Sequence, residues 1–149
     1  MYHRILVPLE NSPTDSGILE HVSALARHCG AALVLIHVAD GWAARNIAHL
    51  KLRESEELRI DREYIERIAT QLSVDGIPTE AVLATGDPAR EITAAAVREG
   101  CDLIAMATHG HKFIGDVIHG SVANEVRHET SIPVLLVRAT ATSRKPQDA

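Results

Sequence analysis

Residues 5–38 read ILVPLENSPTDSGILEHVSALARHCGAALVLIHV, and this stretch decides the fold. It opens on an apolar run, Ile5-Leu6-Val7, and closes on a longer one, Leu33 to Val38. Both runs are nearly continuous rather than alternating. A strand needs that pattern when both of its faces are covered, as in a parallel sheet. Between them, Ser12-Pro13-Thr14-Asp15 predicts a helix cap, with proline in the first turn and an acid three residues on. Ile18, Val22, Leu25 and Ala26 then recur on one helical face, and Gly30 ends the pattern. The stretch therefore reads as one β-α-β unit.

The rest of the chain repeats this alternation. Three further apolar runs follow: Ala81 to Ala84, Leu103 to Ala107, and Val134 to Val137. Asp87-Pro88 opens a helix with a narrow apolar face of Ile92, Ala95 and Ala96, closed by Gly100. The charged stretch from Glu54 to Ser73 keeps Leu58, Ile65, Ile68, Ala69 and Leu72 at helical spacing, with Glu63 and Arg67 as an i,i+4 pair. From Asp40 to about Leu52 there is no period, and Gly41-Trp42 suggests a surface connection. The order β-α-β-α-β-α-β-α-β predicts an α/β fold, a doubly wound five-stranded parallel sheet of the Rossmann-like kind. Such sheets bind ligands beyond the carboxyl ends of the strands, where the winding reverses. The places to look are Pro8 to Ser12, Val38 to Gly41, Gly86-Asp87, and the residues after Ala107.

Composition narrows the function. The 149 residues suit one domain, and 46% are apolar, enough for a core. The net charge is −5, with no block of lysine or arginine, and aromatics are 3%, so nucleic acid is not the expected partner. Cys29 and Cys101 have the spacing of neither a disulfide framework nor a zinc site, which fits a reducing cytoplasm. The N-terminus runs straight into a strand and does not read as a signal peptide. No apolar run is long enough to cross a bilayer, so no membrane partner is expected. The polar tail, residues 140–149, is expected to be disordered, leaving 1–139 as the domain.

The chemistry lies after the fourth apolar run, in Ala107-Thr108-His109-Gly110-His111-Lys112-Phe113-Ile114-Gly115-Asp116-Val117-Ile118-His119-Gly120-Ser121-Val122. Gly110 permits a tight turn and close approach of an anion to backbone amides. Gly120-Ser121 is expected to open a helix, whose unpaired N–H groups and partial positive charge favour phosphate. On glycine and serine placement alone, two readings stand: a phosphate cradle, or a turn, a bend and an ordinary helix cap. It is not a Walker loop, and no G-x-G-x-x-G follows the first strand. His109, His111 and His119 crowd the segment, but no carboxylate or cysteine stands at supporting spacing, and no metal is assigned. His37, inside an apolar run, is expected to be a hydrogen-bonded core histidine. Glu10, Asp87 and Asp116 are the carboxylates in reach of catalysis, yet no Ser-His or Cys-His pair is legible and no catalytic residue is assigned.

These motifs resemble the universal stress protein family. Gly110, nine intervening residues, then Gly120-Ser121 match the family's G-x2-G-x9-G-(S/T) loop. Ile5-Leu6-Val7-Pro8 before Ser12-Pro13 matches as well, as do Gly86-Asp87-Pro88, Cys101-Asp102-Leu103-Ile104 and Ser131-Ile132-Pro133-Val134-Leu135-Leu136-Val137. The resemblance covers Ile5 to Val137. It implies the adenine nucleotide alpha hydrolase-like sheet, with strand order 3-2-1-4-5. It implies ATP, ADP or AMP as ligand, with or without Mg²⁺. Pro8, Glu10 and Val38 would line the adenine and ribose. Ala107, Gly110 and His111 would face the phosphates from the loop, and Gly120, Ser121 and Val122 from the helix start. It also implies a homodimer through the last strand, Val134 to Val137. Two positions depart from the pattern: Ala107 replaces its first glycine, and Glu10 stands where the family usually has aspartate. The resulting expectation is an ATP-binding regulatory module of the stress response, with unidentified protein partners. A nucleotide-free dimeric scaffold and a slow ATPase are the alternatives.

Overall fold

The computed structural model describes residues 1–40, 51–109 and 117–139. The elements are β1 (Arg4–Pro8), α1 (Asp15–Cys29), β2 (Ala32–Asp40), α2 (Lys51–Val74), β3 (Thr79–Gly86), α3 (Pro88–Arg98), β4 (Leu103–His109), α4 (Val117–Glu129) and β5 (Val134–Ala139). Every strand pairing is parallel, and the sheet runs β3-β2-β1-β4-β5. This is the expected doubly wound sheet, in the expected strand order. The connection read around Gly41-Trp42 and the polar tail at 140–149 lie outside the described residues.

The continuous apolar runs are explained by two cores, one on each face. Ile5, Val7, Leu33 and Leu35 face α1 and α2, where Ile18, Val22, Ile65 and Ala69 cover them. Leu6, Val34, Ile36 and Ile104 face the other way, against Ile92, Ala95 and Ala96 of α3 and Ala123 and Val126 of α4. Successive side chains of a strand point to opposite faces, so a two-sided sheet needs apolar residues at every position. Ile5, Leu6, Val7, Val34, Leu35 and Ile36 are wholly buried. Each such side chain contributes about 1.5–3 kcal/mol of transfer free energy.

Helix boundaries follow local chemistry, with three differences from the sequence reading. α3 begins as expected: the Asp87 carboxylate accepts the Arg90 N–H at 3.1 Å, and proline occupies the first turn. α1 begins later than expected, at Asp15. Ser12 does not cap it, because the Ser12 hydroxyl is engaged with the Thr14 hydroxyl at 2.7 Å. At its far end Gly30 adopts φ 65°, a left-handed cap that a side chain would strain. On α2, Glu63 pairs with Arg59 at 3.1 Å, and Arg67 lies over the Tyr64 ring, 5.9 Å from its centroid. The expected Glu63–Arg67 pair is replaced by these two contacts. α4 begins at Val117, three residues before the expected start at Gly120-Ser121.

The amino ends of the strands are tied together by Asp102. Its carboxylate accepts the N–H of His3 at 2.9 Å and of Arg4 at 3.1 Å. Arg4 in turn donates from Nε to the Glu99 carbonyl at 2.8 Å and pairs with Glu80 at 3.3 Å. These bonds join β1 to β3 and to the end of α3.

Candidate functional site

A cavity of about 270 Å³ opens at the carboxyl ends of β1, β2 and β4. Its origin is visible in the strand register. β1 pairs with β2 along its full length, from Arg4 opposite Ala32 to Pro8 opposite Ile36. With β4 it pairs only at Ile5 opposite Leu103 and Leu6 opposite Ile104. Beyond Leu6 the two strands part, and this is the point where the winding of the sheet reverses. The crevice between them is the place where open α/β sheets receive ligands.

The walls are mostly apolar: Pro8, Leu9, Ile36, Val38, Ile92, Met106, Ala107 and Val122, with Pro88 at the start of α3. Glu10, Thr14, Asp15 and His37 supply polar groups. Apolar walls with a few placed polar groups are the usual make-up of a small-molecule site.

The residues singled out from the sequence distribute as follows. Pro8, Glu10, Val38, Ala107 and Val122 line this cavity together. They come from β1 and its following loop, from β2, from β4 and from α4. Gly120 and Ser121 fall within α4 rather than at its first residue. Gly110, His111 and Asp116 lie outside the described residues. Asp87 is used as the α3 cap.

The sequence reading missed the polar network that holds the Glu10 loop. Asp15 is buried, with relative exposure of 3%. Its Oδ1 accepts the Glu10 N–H at 3.0 Å, and its Oδ2 accepts the Ser12 N–H at 3.2 Å and the Tyr64 hydroxyl at 2.6 Å. Burial pushes the Tyr64 phenol well above its ordinary range, and its bond to Asp15 pushes the same way. His37 does sit in β2 as a hydrogen-bonded histidine. Its Nδ1 donates to the Leu9 carbonyl at 2.9 Å, and its Nε2 lies 3.1 Å from Asp61 Oδ2. The signal for Asp15 was in the sequence, as the acid three residues after Ser12. Its carboxylate does reach back to the Ser12 N–H, as a capping-box acid would, but it also gathers Glu10 and Tyr64.

Comparison with known proteins places this architecture. The model of the universal stress protein family matches residues 1–138. Universal stress protein MJ0577 of Methanocaldococcus jannaschii is 29% identical over 93% of this chain and 96% of its own length. A universal stress protein of Thermus aquaticus is 32% identical over 93% of this chain and all of its own. The solved structure of MJ0577 superposes with a TM-score of 0.79 at 28% identity, covering 95% of this chain and 99% of that one. A universal stress protein of Archaeoglobus fulgidus solved in complex with dAMP shares the fold at 20% identity, with a TM-score of 0.66 over 91% of this chain and 97% of its own. With the family model spanning all but the last residues, and relatives aligned along nearly their whole length, this chain belongs to the universal stress protein family.

Proposed function

We propose that the cavity between β1 and β4 binds an adenine nucleotide, ATP foremost, and that the protein is a nucleotide-responsive regulatory module of the stress response. The observation that carries this reading is the convergence of Pro8, Glu10, Val38, Ala107 and Val122 on one apolar crevice at the winding reversal. The segment that carries Gly110 and Gly120-Ser121 follows Ala107 in the chain. In this arrangement the base and ribose sit between Pro8, Glu10 and Val38. Ala107, Gly110 and His111 face the phosphates from one side, and Gly120, Ser121 and Val122 from the other. Because α4 starts at Val117, the amides open to a phosphate are those of its first turn. Mg²⁺ would accompany the phosphates. The complex of a family member with dAMP supports the ligand class.

The protein acts by occupancy rather than turnover in this account, since positioned base and phosphate clamp are what fast hydrolysis needs. The free thiols of Cys29 and Cys101 fit a reducing, cytoplasmic setting. β5 is an edge strand with Leu136 39% exposed, and a second copy of the chain is its natural cover. Native mass spectrometry of freshly purified protein, followed by titration with ATP and Mg²⁺, tests the reading. Bound adenine nucleotide, or saturable ATP binding, is the expected result. No binding at millimolar ATP contradicts it and favours the nucleotide-free scaffold.

A further inference from the structure

The loop that carries Glu10 is held from behind by α2, a helix none of whose described residues lines the cavity. The inward stripe of α2 runs through Leu58, Ile65, Ile68 and Leu72, and two polar residues are set into it, Asp61 and Tyr64. Each residue from Leu9 to Ser12 is bonded into a network that ends on one of them. The Glu10 and Ser12 N–H groups donate to Asp15, which accepts from Tyr64. The Asn11 side chain donates to Asp61 Oδ1 at 3.2 Å. The Leu9 carbonyl accepts from His37, whose second nitrogen faces Asp61 Oδ2. Asn11 stands at φ 57°, a left-handed conformation that asparagine adopts more readily than most residues with a side chain.

We propose that α2 is the positioning element for the nucleoside end of the site. Asp61 and Tyr64 are positioning residues that hold Leu9 to Ser12 in the shape that receives the ligand. Nucleotide occupancy and the seating of α2 on this loop are therefore coupled, and coupling of this kind is reciprocal. The inference rests on the nucleotide reading of the cavity. It adds that the ligand's presence is felt on α2, behind the site.

The test uses the full chain as wild type, Tyr64→Phe, Asp61→Asn and the double variant, each checked for folding by circular dichroism. ATP with Mg²⁺ and AMP are titrated against each, and amide hydrogen exchange is followed with and without saturating ATP. Each single variant is expected to weaken ATP and AMP by the same factor, about fivefold or more. The loss is equal because the network holds the nucleoside end and not the phosphate segment. In the wild type, ATP slows exchange along α2 around Asp61 and Tyr64, and in the variants this protection is lost. A merely structural role would not make α2 respond to ligand. If the wild type binds ATP and both single variants bind it equally well, the inference fails while the nucleotide reading stands. It also fails if only ATP, and not AMP, is weakened. If the wild type binds neither nucleotide, the nucleotide reading fails and the coupling with it. Should the double variant not fold, the single variants carry the same comparison.

Discussion

The Tyr64 hydroxyl donates to the Asp15 carboxylate across 2.6 Å, joining α2 to the first turn of α1 over 49 residues of sequence. The bond is partly buried, and its acceptor also serves two backbone amides, those of Glu10 and Ser12. Asp15→Ala removes the acceptor from all three donors and is expected to cost about 3 kcal/mol of unfolding free energy in urea. Tyr64→Phe leaves Asp15 its two amides and should cost about 1.5 kcal/mol. The Tyr64 effect carries a pH signature. A phenol whose folded value is raised contributes stability that is complete below its ordinary value of 10.0 and is lost as pH rises toward the raised one. The gap between wild type and Tyr64→Phe should therefore be constant below pH 10 and shrink above it. A gap that widened in alkali would contradict the assignment.

At the other end of the sheet the sign is reversed. Partial burial disfavours the Asp102 carboxylate, but the N–H groups of Arg4 and His3 outweigh it and hold the group below its ordinary range. Its stabilisation is present above the ordinary carboxylate range and is lost as pH falls through the lowered folded value. Asp102→Asn should destabilise at pH 7 by less than about 1 kcal/mol, because the side chain is 39% exposed and solvent screens it. The difference should vanish in acid unfolding below the folded value.

Gly86 ends β3 at φ +137°, and a Cβ there would stand 3.0 Å from Glu91 Oε1. The flexible glutamate can retreat, but the backbone conformation remains reserved for glycine. Gly86→Ala is expected to cost about 1–3 kcal/mol by chemical unfolding. An unchanged midpoint would show that the turn into α3 relaxes freely.

Leu136 is 39% exposed on β5, the edge strand beside β4. If a second copy covers this edge, Leu136→Lys should convert a dimer into a monomer in sedimentation equilibrium, with little change in unfolding free energy of the monomer. A wild-type chain that sediments as a monomer at micromolar concentration would contradict the dimer.

The sheet was legible because two-sided burial leaves a strong mark: Leu33 to Val38 has to be apolar at nearly every position. The start of α3 was legible because Asp87-Pro88 is a self-contained signal. The start of α1 was not, because the Ser12 hydroxyl turned to Thr14 and its expected capping role went unused. Pro8, Val38 and Ala107 could be placed at the mouth of the crevice because they stand at or within two residues of the carboxyl ends of their strands, and topology dictates where strand ends meet. Asp15, His37 and Tyr64 could not be joined in advance, since their partners are brought together only by packing of α2 against the sheet. The clue was Asp61 and Tyr64 inside a stripe otherwise occupied by Leu58, Ile65, Ile68 and Leu72.

The central claim, that an adenine nucleotide occupies the crevice between β1 and β4, is tested most directly by titrating ¹⁵N-labelled protein with ATP and Mg²⁺. The account predicts saturable shifts in the amide signals of Leu9, Glu10, Val38, Ala107 and Val122, with those of His3 and Asp102 unmoved at the far end of the sheet. No shift at millimolar ATP, or shifts confined to another surface, would contradict it.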